Sequence, residues 1–183
     1  MKKSFSNICA LCAAAFFLCS GNAFAMGELF DASKGNSEYK KGKFENAAAD
    51  YRKALEKKPG WDAASFNLGN SLFRMEKYDD AAAEYEKVSN DASSKLGSDA
   101  LYNIGNSFFR KGDYMNAAEF YKKSLRINCK DKDAKHNLEL ALKKLKEQQE
   151  KDKQEKQDQQ NKNQDKGQDK NQDKNQDKNQ DKG

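Results

Sequence analysis

Proline is nearly absent from this chain: Pro59 is the only one in 183 residues. Little in the sequence therefore interrupts an α-helical ladder from within. Histidine is equally scarce, with His136 alone. A nucleophile, a base and an orienting group cannot be assembled around that single imidazole. Gly-rich phosphate loops are missing as well, and beyond the first 25 residues Cys129 stands alone, so neither a cofactor site nor a metal site is expected. The formal charge of +5 is mild and does not argue for nucleic acid as a partner. These absences point away from an enzyme.

Long apolar runs are also lacking, with one exception near the start, from Ile8 to Cys19. Lys2 and Lys3 precede it, and Ala23-Phe24-Ala25 follows it. A basic start, a short apolar core and small residues at a cleavage point are the parts of an export signal. The expected cut leaves Met26 as the first residue, with Ala23 and Ala25 as the small residues before it. A transmembrane helix needs roughly 20 apolar residues, so this run is short for an anchor. The competing expectation is an uncleaved signal holding the protein at the inner membrane. Once the signal is removed, no further segment is expected to enter a membrane, and the expected compartment is the periplasm. Cys9, Cys12 and Cys19 leave with the signal, and Cys129 remains alone. One thiol cannot form an internal disulfide.

A period of 34 to 36 residues fills the middle of the chain. Gly35, Gly69 and Gly105 head three copies; Ala47, Ala81 and Ala117 follow twelve residues later, and Tyr51, Tyr85 and Tyr121 four residues after those. Phe44, Tyr78 and Tyr114 stand nine residues beyond the glycines. Such a period predicts an all-α solenoid of stacked helix pairs. The first helices of the pairs are expected over 28–40, 62–74 and 98–110, the second over 44–57, 78–89 and 114–127. Gly42, Met75-Glu76 and Gly112 mark the turns inside the pairs. The paired alanines let helices approach closely, and the three tyrosines are expected in the core. A capping helix over 131–145 follows. Ala134, Leu138, Ala141, Leu142 and Leu145 share one face, and Lys135, Glu139, Lys143 and Lys146 the other. An open solenoid end needs that arrangement.

The segment 146–183 contains no apolar residue, holds ten lysines against ten acidic residues, and ends in repeats of Gln-Asp-Lys-Asn or Gln-Asp-Lys-Gly. It cannot bury enough surface to offset its chain entropy. A disordered tail is expected, its first part up to about Gln160 able to prolong the last helix. The sequence therefore divides into a signal (1–25), a repeat domain (26–145, with units near 28–60, 62–95 and 98–130 plus the cap) and the tail.

The glycine, alanine, aromatic and proline positions resemble the tetratricopeptide repeat. Gly35, Tyr39, Phe44, Ala47, Tyr51, Ala54 and Pro59 carry the match in the first unit, and Leu68, Gly69, Phe73, Tyr78, Ala81, Tyr85 and Val88 in the second. Leu101, Ile104, Gly105, Phe109, Tyr114, Ala117, Tyr121, Ser124 and Leu125 carry it in the third. Two positions depart: Lys34 replaces the usual leucine before Gly35, predicting loose packing of the first helix, and Cys129 stands where a proline is usual. Asn-Leu-Gly-Asn-Ser-Leu-Phe-Arg, Tyr-Asn-Ile-Gly-Asn-Ser-Phe-Phe-Arg and the stretch 133–145 with its Gln/Lys-rich sequel look, more narrowly, like the small exported repeat proteins of the bacterial Bat group. That resemblance implies a place in aerotolerance operons and membrane-anchored partners with von Willebrand factor A domains.

In the tetratricopeptide superhelix the first helix of each pair lines a concave groove. Asn67, Asn70 and Arg74 share one face of the second unit, and Asn103, Asn106 and Arg110 one face of the third. Asn36 and Lys40 are the counterparts in the first unit. Asn36, Asn70 and Asn106 form a ladder, and an amide can donate to and accept from one peptide unit at once. Asn67 and Asn103 either join this ladder or bridge neighbouring helices. Lys40, Arg74 and Arg110 suit acidic side chains or a terminal carboxylate, unless they merely complement helix C-termini. Phe66 and Tyr102 are expected to add apolar contact. The function expected is that of an exported adaptor holding an extended segment of an envelope protein. The alternative is a redox-responsive protein acting through Cys129, whose neighbours Arg126, Lys130 and Lys132 favour a thiolate.

Overall fold

The computed structural model describes residues 27–89 and 94–180, with side chains through Gln159. The expected signal, including Ala23 and Ala25, and Met26 after it lie outside the described residues, as do residues 90–93. The described chain is all helix and turn. Residues 27–40 form α1, followed by α2 (Phe44–Lys57), α3 (Asp62–Arg74), α4 (Tyr78–Ser89), α5 (Lys95–Arg110), α6 (Tyr114–Ile127) and α7 (Lys132–Gln180). Each helix from α2 onward packs on the next along the chain.

Close approach within each pair depends on one glycine. An added Cβ at Gly35, Gly69 or Gly105 would meet the ring of Tyr51, Tyr85 or Tyr121 at 2.8, 2.7 and 2.6 Å. Those three tyrosines are fully buried, as are Ala47, Ala81 and Ala117. The tight turns inside the first and third pairs rest on Gly42 (φ +77°) and Gly112 (φ +80°). In the second pair Glu76 takes the same left-handed conformation, φ +60°.

Three expectations need correction. The helix expected from 98 begins at Lys95, because the Ser94 side chain caps it by accepting the Gly97 N–H at 2.9 Å. Lys34 does not loosen α1: it forms an ion pair with Asp50 at 3.1 Å, and Asp50 is 3% exposed. No unit precedes α1 among the described residues, so the ion pair stands where later units bury Leu68 and Ile104. The last helix, expected to be prolonged to about Gln160 at most, continues to Gln180. Its Lys, Glu and Gln content favours helix. Ion pairs Lys144–Glu147 (3.0 Å) and Lys146–Glu150 (3.8 Å) follow helical spacing. From Gln148 to Gln159 every side chain is exposed, so this stretch is held by local interactions alone.

Register explains where the array stops. Thirty-four residues beyond Gly105 stands Glu139 on α7, and beyond Tyr102 stands His136. Both are exposed, as are Lys135, Lys143 and Lys146. Ala134 and Ala141, on the other side, are fully buried. The last helix thus holds the place of the first half of a fourth pair, and no second half follows it among the described residues.

Candidate functional site

The six asparagines of the first helices form one hydrogen-bonded spine across the array. Tyr51 donates its hydroxyl to Asn36 Oδ1 at 2.7 Å, Tyr85 to Asn70 Oδ1 at 2.8 Å, and Tyr121 to Asn106 Oδ1 at 2.8 Å. The next unit adds a second donor to each oxygen: Asn67 Nδ2 to Asn36 (3.3 Å), Asn103 Nδ2 to Asn70 (3.4 Å) and Asn137 Nδ2 to Asn106 (3.0 Å). Within units, Asn70 donates to Asn67 Oδ1 at 3.5 Å and Asn106 to Asn103 Oδ1 at 3.3 Å. The tyrosine bonds are short; the amide–amide bonds, apart from Asn137–Asn106 at 3.0 Å, are long and individually weak.

This arrangement corrects the expected ladder. A carbonyl oxygen has two lone pairs, and those of Asn36, Asn70 and Asn106 are both occupied from within. These amides cannot accept from a ligand peptide. What they retain toward solvent is N–H donor capacity. Asn67 and Asn103 bridge neighbouring helices, as one of the two expectations had it. Asn137, which the sequence reading did not single out, completes the spine and also donates to the Tyr102 hydroxyl at 2.9 Å. Its signal was present, since it lies 34 residues after Asn103.

Phe66 and Tyr102 are likewise turned to structural use. Phe66 meets Tyr85 edge-on (5.5 Å between centroids) and Tyr102 lies tilted on Tyr121 (5.7 Å). Both are half-buried and brace the spine tyrosines. Burial pushes the Tyr51 hydroxyl up to about 12, with nearby Tyr39 adding to it. Burial pushes Tyr85, Tyr121 and Tyr102 upward too. The donors of the spine therefore keep their protons throughout the neutral range.

The basic side chains lie along the spine. The Arg74 guanidinium stacks 4.4 Å over Phe44 of the preceding unit, and that of Arg110 lies 5.2 Å over Tyr78. Arg110 also approaches Glu76 at 3.6 Å, an ion pair exposed on both sides. Lys40, Arg74 and Arg110 are all exposed. Each guanidinium is held over a ring on one side and stays open to water on the other.

Two hollows open on this face. One, of about 230 Å³, is lined by Asn36, Tyr39, Lys40, Tyr51, Asn67 and Asn70. The other, of about 120 Å³, lies between Phe73, Phe109, Tyr121 and Leu140, with Asn106, Asn137 and Arg110 also in its wall.

The family model for the tetratricopeptide repeat matches residues 33–95 and 66–131, together more than half of the chain. The chain belongs to the tetratricopeptide-repeat family. Solved domains of this kind resemble it in structure. The first TPR of Spaghetti (RPAP3), bound to the HSP90 peptide SRMEEVD, matches with TM-score 0.60 and 21% identity, over 66% of this chain and 94% of that one. The Sgt2 TPR domain from Aspergillus fumigatus gives 0.61 and 22%, over 67% and 82%. The second TPR domain of human RPAP3, in complex with the HSP70 peptide SGPTIEEVD, gives 0.59 and 20%, over 64% and 97%. At these identities the likeness establishes the fold. No curated protein matches the chain in sequence.

Outside the tetratricopeptide groove, the described residues contain no cluster of three His, Cys, Asp or Glu that could hold a metal. No described helix is long and apolar enough to cross a membrane. His136 is exposed on α7. Cys129 is exposed in the turn between α6 and α7, where the usual proline is missing.

Proposed function

We propose that the protein is an exported, non-enzymatic adaptor whose tetratricopeptide groove holds an extended, acidic segment of a partner envelope protein. One observation carries the reading: a fixed row of outward amide donors runs beside three exposed cationic groups. Donors without free acceptors select for carbonyl and carboxylate oxygens. The two arginines, already held over rings, favour acidic residues at low cost in side-chain entropy. The two RPAP3 domains are described with peptides ending in Glu-Glu-Val-Asp, which lends support to an acidic extended ligand. The Lys2–Ala25 pattern supports export to the periplasm. The narrower likeness to the Bat group favours membrane-anchored von Willebrand factor A-domain proteins as partners, in an aerotolerance or envelope-stress complex.

The test is affinity capture from envelope extract, followed by calorimetry on the captured partner. Arg74→Gln with Arg110→Gln should weaken binding by about tenfold at low salt and by less at high salt, because screening removes exposed charge contacts. Equal affinity for parent and variant at low salt would refute the groove reading. Export is checked separately, by N-terminal sequencing of the protein from the periplasmic fraction; a Met1 start would overturn cleavage.

A further inference from the structure

We propose that the C-terminal end of the groove is a selectivity pocket for a branched aliphatic side chain flanked by an acidic residue, and that Leu140 of the cap creates it. The inference rests on the adaptor reading above and adds which segment the groove prefers.

Register shows the substitution. Asn70 and Asn106 occupy equivalent places 36 residues apart, and 34 residues further stands Leu140. The ladder's next rung is therefore an isobutyl group where an amide is due. Leu140 is half-buried and lines the 120 Å³ hollow with Phe73, Phe109 and Tyr121. The Tyr121 hydroxyl, the Asn106 oxygen and the Asn137 nitrogen in that wall are engaged within the spine. Asn106 Oδ1 holds the Tyr121 hydroxyl and Asn137 Nδ2, and Asn137 Nδ2 also bonds the Tyr102 oxygen, using both of its hydrogens. An apolar cavity of about 150 Å³ holds benzene, so a hollow of 120 Å³ suits a valine, leucine or isoleucine side chain and is too small for an indole. The hollow at the other end is nearly twice as large and bears Lys40 and three amides. The groove thus has a direction, polar and roomy at α1, tight and apolar at α7.

Charge sets the neighbour of the aliphatic residue. Arg110 lies in the pocket wall, and Lys144 follows Leu140 by one turn of α7. Their present partners, Glu76 at 3.6 Å and Glu147 at 3.0 Å, form exposed pairs. Such pairs contribute little, so a ligand carboxylate competes for both cations.

The experiment selects random heptapeptides by phage display on the immobilised protein. The winners are then titrated as fluorescein-labelled peptides by fluorescence anisotropy. Leu140→Asn restores the repeat's own residue, and Leu140→Phe fills the hollow; a thermal melt verifies that each is folded. The expected result is enrichment of Val, Leu or Ile next to Asp or Glu, with affinity falling at least about tenfold in both variants, as loss of one buried aliphatic contact implies. Peptides that weaken with Arg74→Gln and Arg110→Gln, show no aliphatic preference and ignore both Leu140 variants would overturn the pocket and leave the adaptor standing. Failure to select any peptide sensitive to the arginines would overturn the adaptor, and the pocket with it.

Discussion

Gly69 and Tyr85 are packed so closely that an added Cβ would lie 2.7 Å from the tyrosine ring. Gly69→Ala should therefore force the ring off its place and cost about 1–3 kcal/mol, the usual range for overpacking. Glu139, at the same register on α7, faces no such ring and is exposed. Glu139→Ala should leave the melting temperature nearly unchanged. Thermal melts of the two variants decide it; equal shifts would contradict the packing.

Glu76 holds φ +60° where the other two pairs use glycine. A left-handed conformation costs an ordinary residue about 1–2 kcal/mol. Glu76→Gly removes that cost and loses only the exposed contact with Arg110, while adding freedom to the unfolded chain. The expected outcome is a net gain of about 0.5–1 kcal/mol in urea unfolding. A loss of stability would show that the Arg110 contact outweighs the backbone strain.

The spine makes tyrosine protonation a condition of folding. Tyr51 is pushed up to about 12 by burial, above its ordinary value near 10. A raised folded value contributes stability that is whole below pH 10 and lost as pH rises toward 12. The melting temperature should be flat from pH 7 to 9 and fall steeply above 10. Ultraviolet titration should show tyrosines ionising late and together with unfolding. Ionisation of every tyrosine near pH 10 in a still-folded protein would contradict the buried donors.

Removal of residues 148–183 should leave the melting temperature of the repeats unchanged, because the described side chains beyond Glu147 bury nothing. Helical circular dichroism should drop in proportion to the helix removed. A shortened protein that melts lower would reveal a contact of the extension with the array.

Much of the fold was legible because stacked repeats write their packing into a period. Gly35, Gly69, Gly105 and their tyrosines fixed the helix pairs to within a residue or two. The start of α5 was missed because its signal is a local side-chain cap at Ser94, outside the period. The candidate site was read less well. Asn36, Asn70 and Asn106 were correctly placed on one face. Their oxygens are occupied by tyrosines fifteen residues away and by amides one unit away, and no single-helix pattern reveals such partners. The ring partners of Phe66 and Tyr102, namely Tyr85 and Tyr121, were hidden for the same reason. Asn137 and Leu140 were open to discovery, had the count been carried past the third unit into the cap.

The ion pair Lys34–Asp50 latches the first edge of the array with a charge that is 3% exposed on its acidic side. Large apolar side chains still stand open at both edges, Leu29 and Phe30 on α1 and Leu142 on α7. Each end of the stack therefore shows water a mixed face, part charge and part hydrocarbon.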